Sequence, residues 1–114
     1  MHDESAEGMA FFKCDFCRQP WADDRPMIEG HRGHLLCTKC LTVAYQQVVL
    51  DGAPPIARLA DEPEETVCTM CMERRSQPAW RSDAFPESIV CLRCIKQSAT
   101  GFEKDPDTAW TRPG

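Results

Sequence analysis

Eight cysteines fall into four Cys-x-x-Cys pairs, Cys14/Cys17, Cys37/Cys40, Cys68/Cys71 and Cys91/Cys94, and none stands outside a pair. The 19 residues between Cys17 and Cys37 recur as 19 residues between Cys71 and Cys91, so the first four cysteines reappear 54 positions later. Soft thiolates at this spacing suit tetrahedral zinc: each short pair makes a turn that aims two sulfurs at one ion, and a second pair closes the shell. The expectation is two structural zinc ions, one on Cys14, Cys17, Cys37 and Cys40 and one on Cys68, Cys71, Cys91 and Cys94. A closed shell leaves no position for water or substrate. No Ser/His/Asp or Cys/His arrangement remains once the cysteines are assigned, so no catalytic residue is expected and the chain reads as a non-enzyme.

Other chemistries fit the cysteines less well. Disulfides or a thioredoxin-like redox site do not call for four pairs in duplicate, although release of zinc on thiol oxidation is compatible with the pattern. In a cross-braced arrangement Cys14 and Cys17 would share an ion with Cys68 and Cys71. The 27 residues between Cys40 and Cys68 are long for that, and the second half lacks the histidine that ring-type patterns include. His34, three residues before Cys37, is an alternative ligand, but Ser88 stands 54 positions on and Phe85 stands opposite His31. Both histidines are expected in solvent-facing turns.

The elements that must position these sulfurs are short. Residues 1–10 form an acidic lead expected to be flexible, and a first finger spans 11–50. Met27-Ile28-Glu29, the turn Gly30-His31-Arg32-Gly33 and His34-Leu35-Leu36 predict a hairpin that delivers Cys37. Leu41, Ala44, Tyr45 and Val48 then recur at helical spacing, with Val49 one position further round, and the helix N-terminus favours the thiolates of the pair that opens it. Residues 51–66 carry prolines and acids and read as a linker. The second finger spans 67–104, where Ile89-Val90 echo Leu35-Leu36 and Ile95, Ala99 and Phe102 echo the helix face. Gly101 predicts a shorter second helix. Residues 105–114, with Trp110, have no periodicity and are expected to be irregular.

Fingers of this size bury too little apolar surface to fold alone, so metal binding and folding should coincide. The formal charge of −5 is uneven: −3 over 1–10, +1 over 11–50, −4 over 51–66, +2 over 67–104 and −1 over 105–114. Eight thiolates on two dications would take the total to −9, which is not the footprint of a phosphate-backbone binder. Arg74, Arg75, Arg81 and Arg93 make the second finger mildly basic, without interleaved aromatics. No apolar run is long enough to span a membrane and no secretory signal is evident, so a cytosolic, reducing compartment is expected.

Cys14-Asp15-Phe16-Cys17, Met27-Ile28-Glu29-Gly30 and the run Leu35-Leu36-Cys37-Thr38-Lys39-Cys40-Leu41 together resemble the ClpX-type zinc-finger family, the small domain at the N-terminus of a protein-unfolding ATPase. The likeness covers about residues 13–50 well, and 67–100 mainly through the cysteines, Ile89-Val90 and Ile95. Arg18 and Met72 depart from it, standing where the family has glycine, and the gap between pairs is about one residue longer. No G-x-x-x-x-G-K-S/T phosphate loop occurs.

The resemblance implies two tandem treble-clef-like fingers, each a knuckle, a hairpin and a helix, in a small zinc-stabilised protein without the motor. It further implies dimerisation, here of two chains or within one chain as a pseudo-symmetric pair, and recognition of a protein or peptide partner. The function expected is that of an adaptor or regulator linked to an unfoldase–protease system. Nucleic-acid binding and a zinc-releasing redox switch are the rival expectations. Tyr45, Val48, Val49, Phe102 and Trp110 are the candidate partner-binding residues, on helix faces longer than one knuckle needs and in the tail. Trp21 and Trp80 are expected in the cores.

Overall fold

In each half, an apolar run that ends on a cysteine forms the inner strand of a hairpin, and that cysteine caps the helix that follows. The computed structural model describes all 114 residues. Strand β1 (Met27–Glu29) pairs antiparallel with β2 (Leu35–Cys37), and β3 (Ala79–Arg81) with β4 (Ile89–Cys91). Both β2 and β4 are buried along their whole length. Cys37 and Cys91 keep extended backbone at the N-caps of α1 (Thr38–Tyr45) and α2 (Leu92–Lys104). At α1 the Cys40 N–H donates to Cys37 Sγ at 3.4 Å, so a sulfur does what a serine oxygen commonly does at an N-cap.

Two expectations about the repeat need correction. The second helix is not the shorter one. The eight residues of α1 run on into a wider π-type turn, Gln46–Leu50, of five residues, and together these match the thirteen of α2. Gly101 marks a close approach: a Cβ there would lie 2.8 Å from Ile28 Cδ1, so tertiary packing against β1 holds the helix where propensity alone would weaken it. The 54-residue register also fails locally. Met27 corresponds to Ala79 in strand pairing, an offset of 52, because the hairpin tip is Gly30–His34 in the first half and Ser82–Ser88 in the second. Trp80 therefore takes the place of Ile28 in the repeat.

The halves are interlocked. Helix α1 packs on α2, and α2 on β1. The buried apolar residues of both halves form one continuous cluster, with Phe16, Leu41, Ile95 and Val90 among its fully buried members. Trp80 is buried and its ring lies 5.8 Å from Phe16, across the boundary between the halves. Trp21 is only partly buried.

The flanking segments are packed as well. In the stretch expected to act as a linker, Ile56 and Leu59 are buried, and Ile56 exchanges two backbone hydrogen bonds with Ala79. Arg74 organises that stretch by donating to the carbonyls of Ala60, Glu62, Pro63 and Thr66. At the chain start, where flexibility was expected, the Met1 ammonium donates to Asp15 Oδ2 at 2.9 Å and His2 stacks on Phe11. Residues 105–114 contain no helix or strand, but Trp110 Nε1 donates to Thr42 Oγ1 at 2.9 Å, its ring lies 5.9 Å from Phe102, and Arg112 lies over Tyr45. The tail is a strap across both helices.

Candidate metal centres

Each Cys-x-x-Cys turn is built the same way. Cys14 N–H donates to Gln19 O and Arg18 N–H to Cys14 O; Cys68 N–H donates to Glu73 O and Met72 N–H to Cys68 O. The residue after the second cysteine must enter the left-handed region, with φ of 62° at both Arg18 and Met72. Cross-links from the knuckle to the inner strand also repeat: Asp15 N–H to Leu35 O at 2.9 Å, and Thr69 N–H to Ile89 O at 2.7 Å. These bonds bring the second cysteine pair over the first.

The result is two four-sulfur clusters, Cys14/Cys17/Cys37/Cys40 and Cys68/Cys71/Cys91/Cys94, with all sulfurs of a cluster within 4.8 Å of one another. The sets are sequential, one to each half, and not cross-braced. Four sulfurs about 2.3 Å from a central ion in tetrahedral array would be about 3.8 Å apart. Cys14 to Cys40 and Cys17 to Cys37 measure 3.8 Å, and Cys71 to Cys91 measures 3.9 Å. All eight cysteines are free, and these separations are far beyond a disulfide bond of about 2.05 Å. Each cluster is thus able to hold one metal ion, and two such sites fit two structural metals.

The electrostatics point the same way. Without a cation the sulfurs of a cluster compete for protons. Cys17 is held far below the ordinary thiol value by hydrogen bonding from Cys14, and Cys37 is lowered to about 7, again chiefly by Cys14. Cys14 is pushed far up by Cys17, and Cys40 by Cys14. In the second cluster Cys68 lowers Cys91 to about 3 and pushes Cys94 far up. A dication in the middle would remove that competition. Backbone amides already face the sulfurs: Phe16 and Cys37 N–H donate to Cys14 Sγ, and Cys91 N–H to Cys68 Sγ.

Around the sulfurs the clusters differ. Beside the first, buried Asp15 accepts from Leu35 N–H at 2.7 Å and lies 3.0 Å from His34 Nδ1. Burial would raise its carboxyl, but Leu35 N–H, the Met1 ammonium and His34 outweigh that and hold it below the usual range. His34 is an outer partner and not a sulfur's substitute. Beside the second cluster, the neighbouring Cys71 sulfur raises the Arg75 guanidinium further.

The joint between the halves was not legible from the cysteine pattern. Ser82 Oγ donates to Phe16 O at 2.6 Å, and Ser88 Oγ to Asp15 O at 2.8 Å, so the second hairpin tip holds the first knuckle. Arg18 lies 4.2 Å over the Phe85 ring and pairs with Glu87 at 2.8 Å. Reciprocally, His31 N–H donates to Met70 O at 2.8 Å, and a Cβ on Gly30 would lie 2.5 Å from that oxygen. The two knuckles therefore each dock on the opposite hairpin.

The partner-binding candidates are placed differently from expectation. Tyr45, Val48 and Phe102 are 7, 7 and 3 % exposed, in the chain's own core. Val49 and Trp110 are partly buried against it. The apolar helix faces that exceed the needs of one knuckle are consumed by each other and by the tail. Three of the four arginines that make the second half basic are likewise engaged, Arg74 as described, Arg81 with Glu62 at 2.9 Å and Arg75 with Glu73 at 3.1 Å, whereas Arg93 is exposed and unpaired. No helix is long and apolar enough to cross a membrane. No family model, curated protein or solved structure matches the chain.

Proposed function

We propose that the chain is a protein-interaction scaffold held by two structural zinc ions, with no catalysis of its own. The observation that carries this reading is the pair of four-sulfur clusters inside one shared core. Zinc suits an all-thiolate tetrahedral shell with no redox demand, and such a shell stabilises a fold without offering an open site. A knuckle, a hairpin and a helix wrapped on one metal describe a treble-clef-like finger, and two of them interlocked make an intramolecular pseudo-dimer. Resemblance to the ClpX-type zinc finger supports the specific version, a cytosolic adaptor or regulator of an unfoldase–protease system. Nucleic-acid binding loses support, since Arg18, Arg74, Arg75 and Arg81 all bond within the chain.

Elemental analysis of the purified chain should give two zinc ions per molecule. Capture from lysate by the zinc-loaded chain, beside a metal-stripped control, should then retain defined proteins, with an unfoldase ATPase among them on the specific version. One ion per chain would overturn the metal assignment. Salt-sensitive retention of nucleic acid in place of protein would overturn the interaction reading.

A further inference from the structure

The two four-sulfur centres are not equally accessible. A depression of about 360 Å3 opens over the first, with Cys17 and Cys40 in its lining beside Val43, Trp80 and Ala84. No sulfur of the second cluster lines any depression of the chain. Cys71, the counterpart of Cys17, has the Arg75 guanidinium beside it, with Nε shut off from solvent and Nη2 held by Glu73 at 3.1 Å. Trp21 stands 54 positions earlier, where knuckle two has Arg75, and brings no guanidinium to Cys17. Of the two sulfurs on the depression, Cys40 is buried and Cys17 half-buried, so Cys17 is the one a small solute meets first.

A closed shell leaves no place for a ligand on the metal, but its sulfurs keep lone pairs. A sulfur that reaches solvent therefore remains a nucleophile. Arg25 and Lys39 line the same depression, with Asp83 as its one carboxylate. Arg25 donates to Pro20 O and makes no ion pair, and Lys39 meets only the exposed Asp24, at 3.6 Å. Two cations beside an attacking sulfur stabilise an oxygen that departs with negative charge.

We propose that Cys17 is the chain's site of thiol oxidation, and that the depression admits a small hydroperoxide to it. The Cys17 sulfur gives an electron pair to one peroxide oxygen, the O–O bond breaks, and the leaving oxygen takes a proton as water or an alcohol, which leaves Cys17 as a sulfenic acid. A second sulfur of the cluster, such as Cys37 at 3.8 Å, then attacks Cys17, and the hydroxyl departs with a proton as water. Two thiolates, one hydroperoxide and two protons thus yield one disulfide, one water or alcohol and one further water, with two electrons passing from sulfur to oxygen. The first centre loses two ligands by this step. The inference rests on the metal assignment of the scaffold reading and adds which centre opens first.

The test treats the zinc-loaded full chain with about a tenth of an equivalent of hydrogen peroxide in the presence of dimedone, which traps sulfenic acids, and places the label by peptide mass spectrometry. The peroxide is kept scarce because loss of one centre is expected to unfold both halves and expose every cysteine. Label at Cys17 should exceed that at Cys71 about ten-fold. Arg75→Gln should raise the Cys71 label several-fold and leave that of Cys17 unchanged. Ala84→Trp, at an exposed position on the depression, should lower the Cys17 label about five-fold at unchanged zinc content. Equal labelling of Cys17 and Cys71, a first hit in the second half, or labels that ignore both variants would overturn the proposal. So would an oxidation rate independent of peroxide concentration, since the sulfurs would then react only after unfolding. None of these outcomes alters the zinc count or the proteins captured from lysate, so the oxidation site and the scaffold reading fall separately.

Discussion

The two knuckles solve one docking problem with different chemistry. Knuckle one gives its carbonyls, Asp15 O and Phe16 O, to two buried serine hydroxyls, whereas knuckle two gives Met70 O to the His31 amide across a glycine. A hydroxyl can rotate to keep its bond as the tip shifts. A backbone amide cannot, and it holds the carbonyl only because Gly30 lets the two chains approach. The longer tip Ser82–Ser88 and the shorter tip Gly30–His34 follow from this, since side chains need reach and a backbone contact needs proximity. Duplication kept the metal turns identical in geometry and let the joints diverge.

The strongest way to break the comparison is to remove one metal. Cys37→Ser should unfold both halves in a single transition, because the core is continuous and a structural site contributes on the order of 10 kcal/mol. Heteronuclear NMR would show loss of dispersion for residues of both halves together. Survival of the second half's signals would mean that the modules fold separately. Cys91→Ser should give the same result.

The backbone joint should be the less forgiving of the two. Gly30→Ala would place a Cβ on the Met70 carbonyl and is expected to cost about 3 kcal/mol, measured by denaturant titration of the metal-loaded protein. Ser88→Ala leaves Asp15 O without its partner and should cost about 1–2 kcal/mol, and Ser82→Ala a similar amount at Phe16 O. If the serine variants proved as damaging as Gly30→Ala, the proposed difference in tolerance would be wrong.

The smallest effect concerns the left-handed residues. Met72→Gly removes the crowding of a side chain at φ 62° and should raise stability by under about 1 kcal/mol, the gain being reduced by glycine's extra unfolded-state freedom. Arg18→Gly should give no such gain, since it also removes the contact with Phe85 and the pair with Glu87. Thermal midpoints at fixed zinc concentration would separate the two.

Hairpin positions, the grouping of the cysteines and helix starts could be read from residue spacing because each is local. Met27-Ile28-Glu29, Leu35-Leu36 and the second cysteine of each half declare their roles within a few residues. Trp80 lies in the core, as its type suggests, but its correspondence to Ile28 is hidden from a constant 54-residue register because the second tip is two residues longer. The second helix was expected to be short because glycine propensity carries no information about Ile28 on another element. The segment 51–66 resembled a spacer in composition, yet Leu59 is buried and Arg74 gathers four of its carbonyls.

By itself the sequence determined which sulfurs gather around which centre, since a Cys-x-x-Cys turn and the strand that returns to it are short-range geometry. Only the tertiary structure decided that Tyr45, Val48 and Phe102 face inward and that Trp110 straps the helices. An amphipathic face shows that apolar area must be covered, but nothing in its period says whether the cover is another chain, the duplicate module or the chain's own tail. That choice depends on contacts between residues more than fifty positions apart, such as Thr42 with Trp110, and these exist only once both modules have closed on each other.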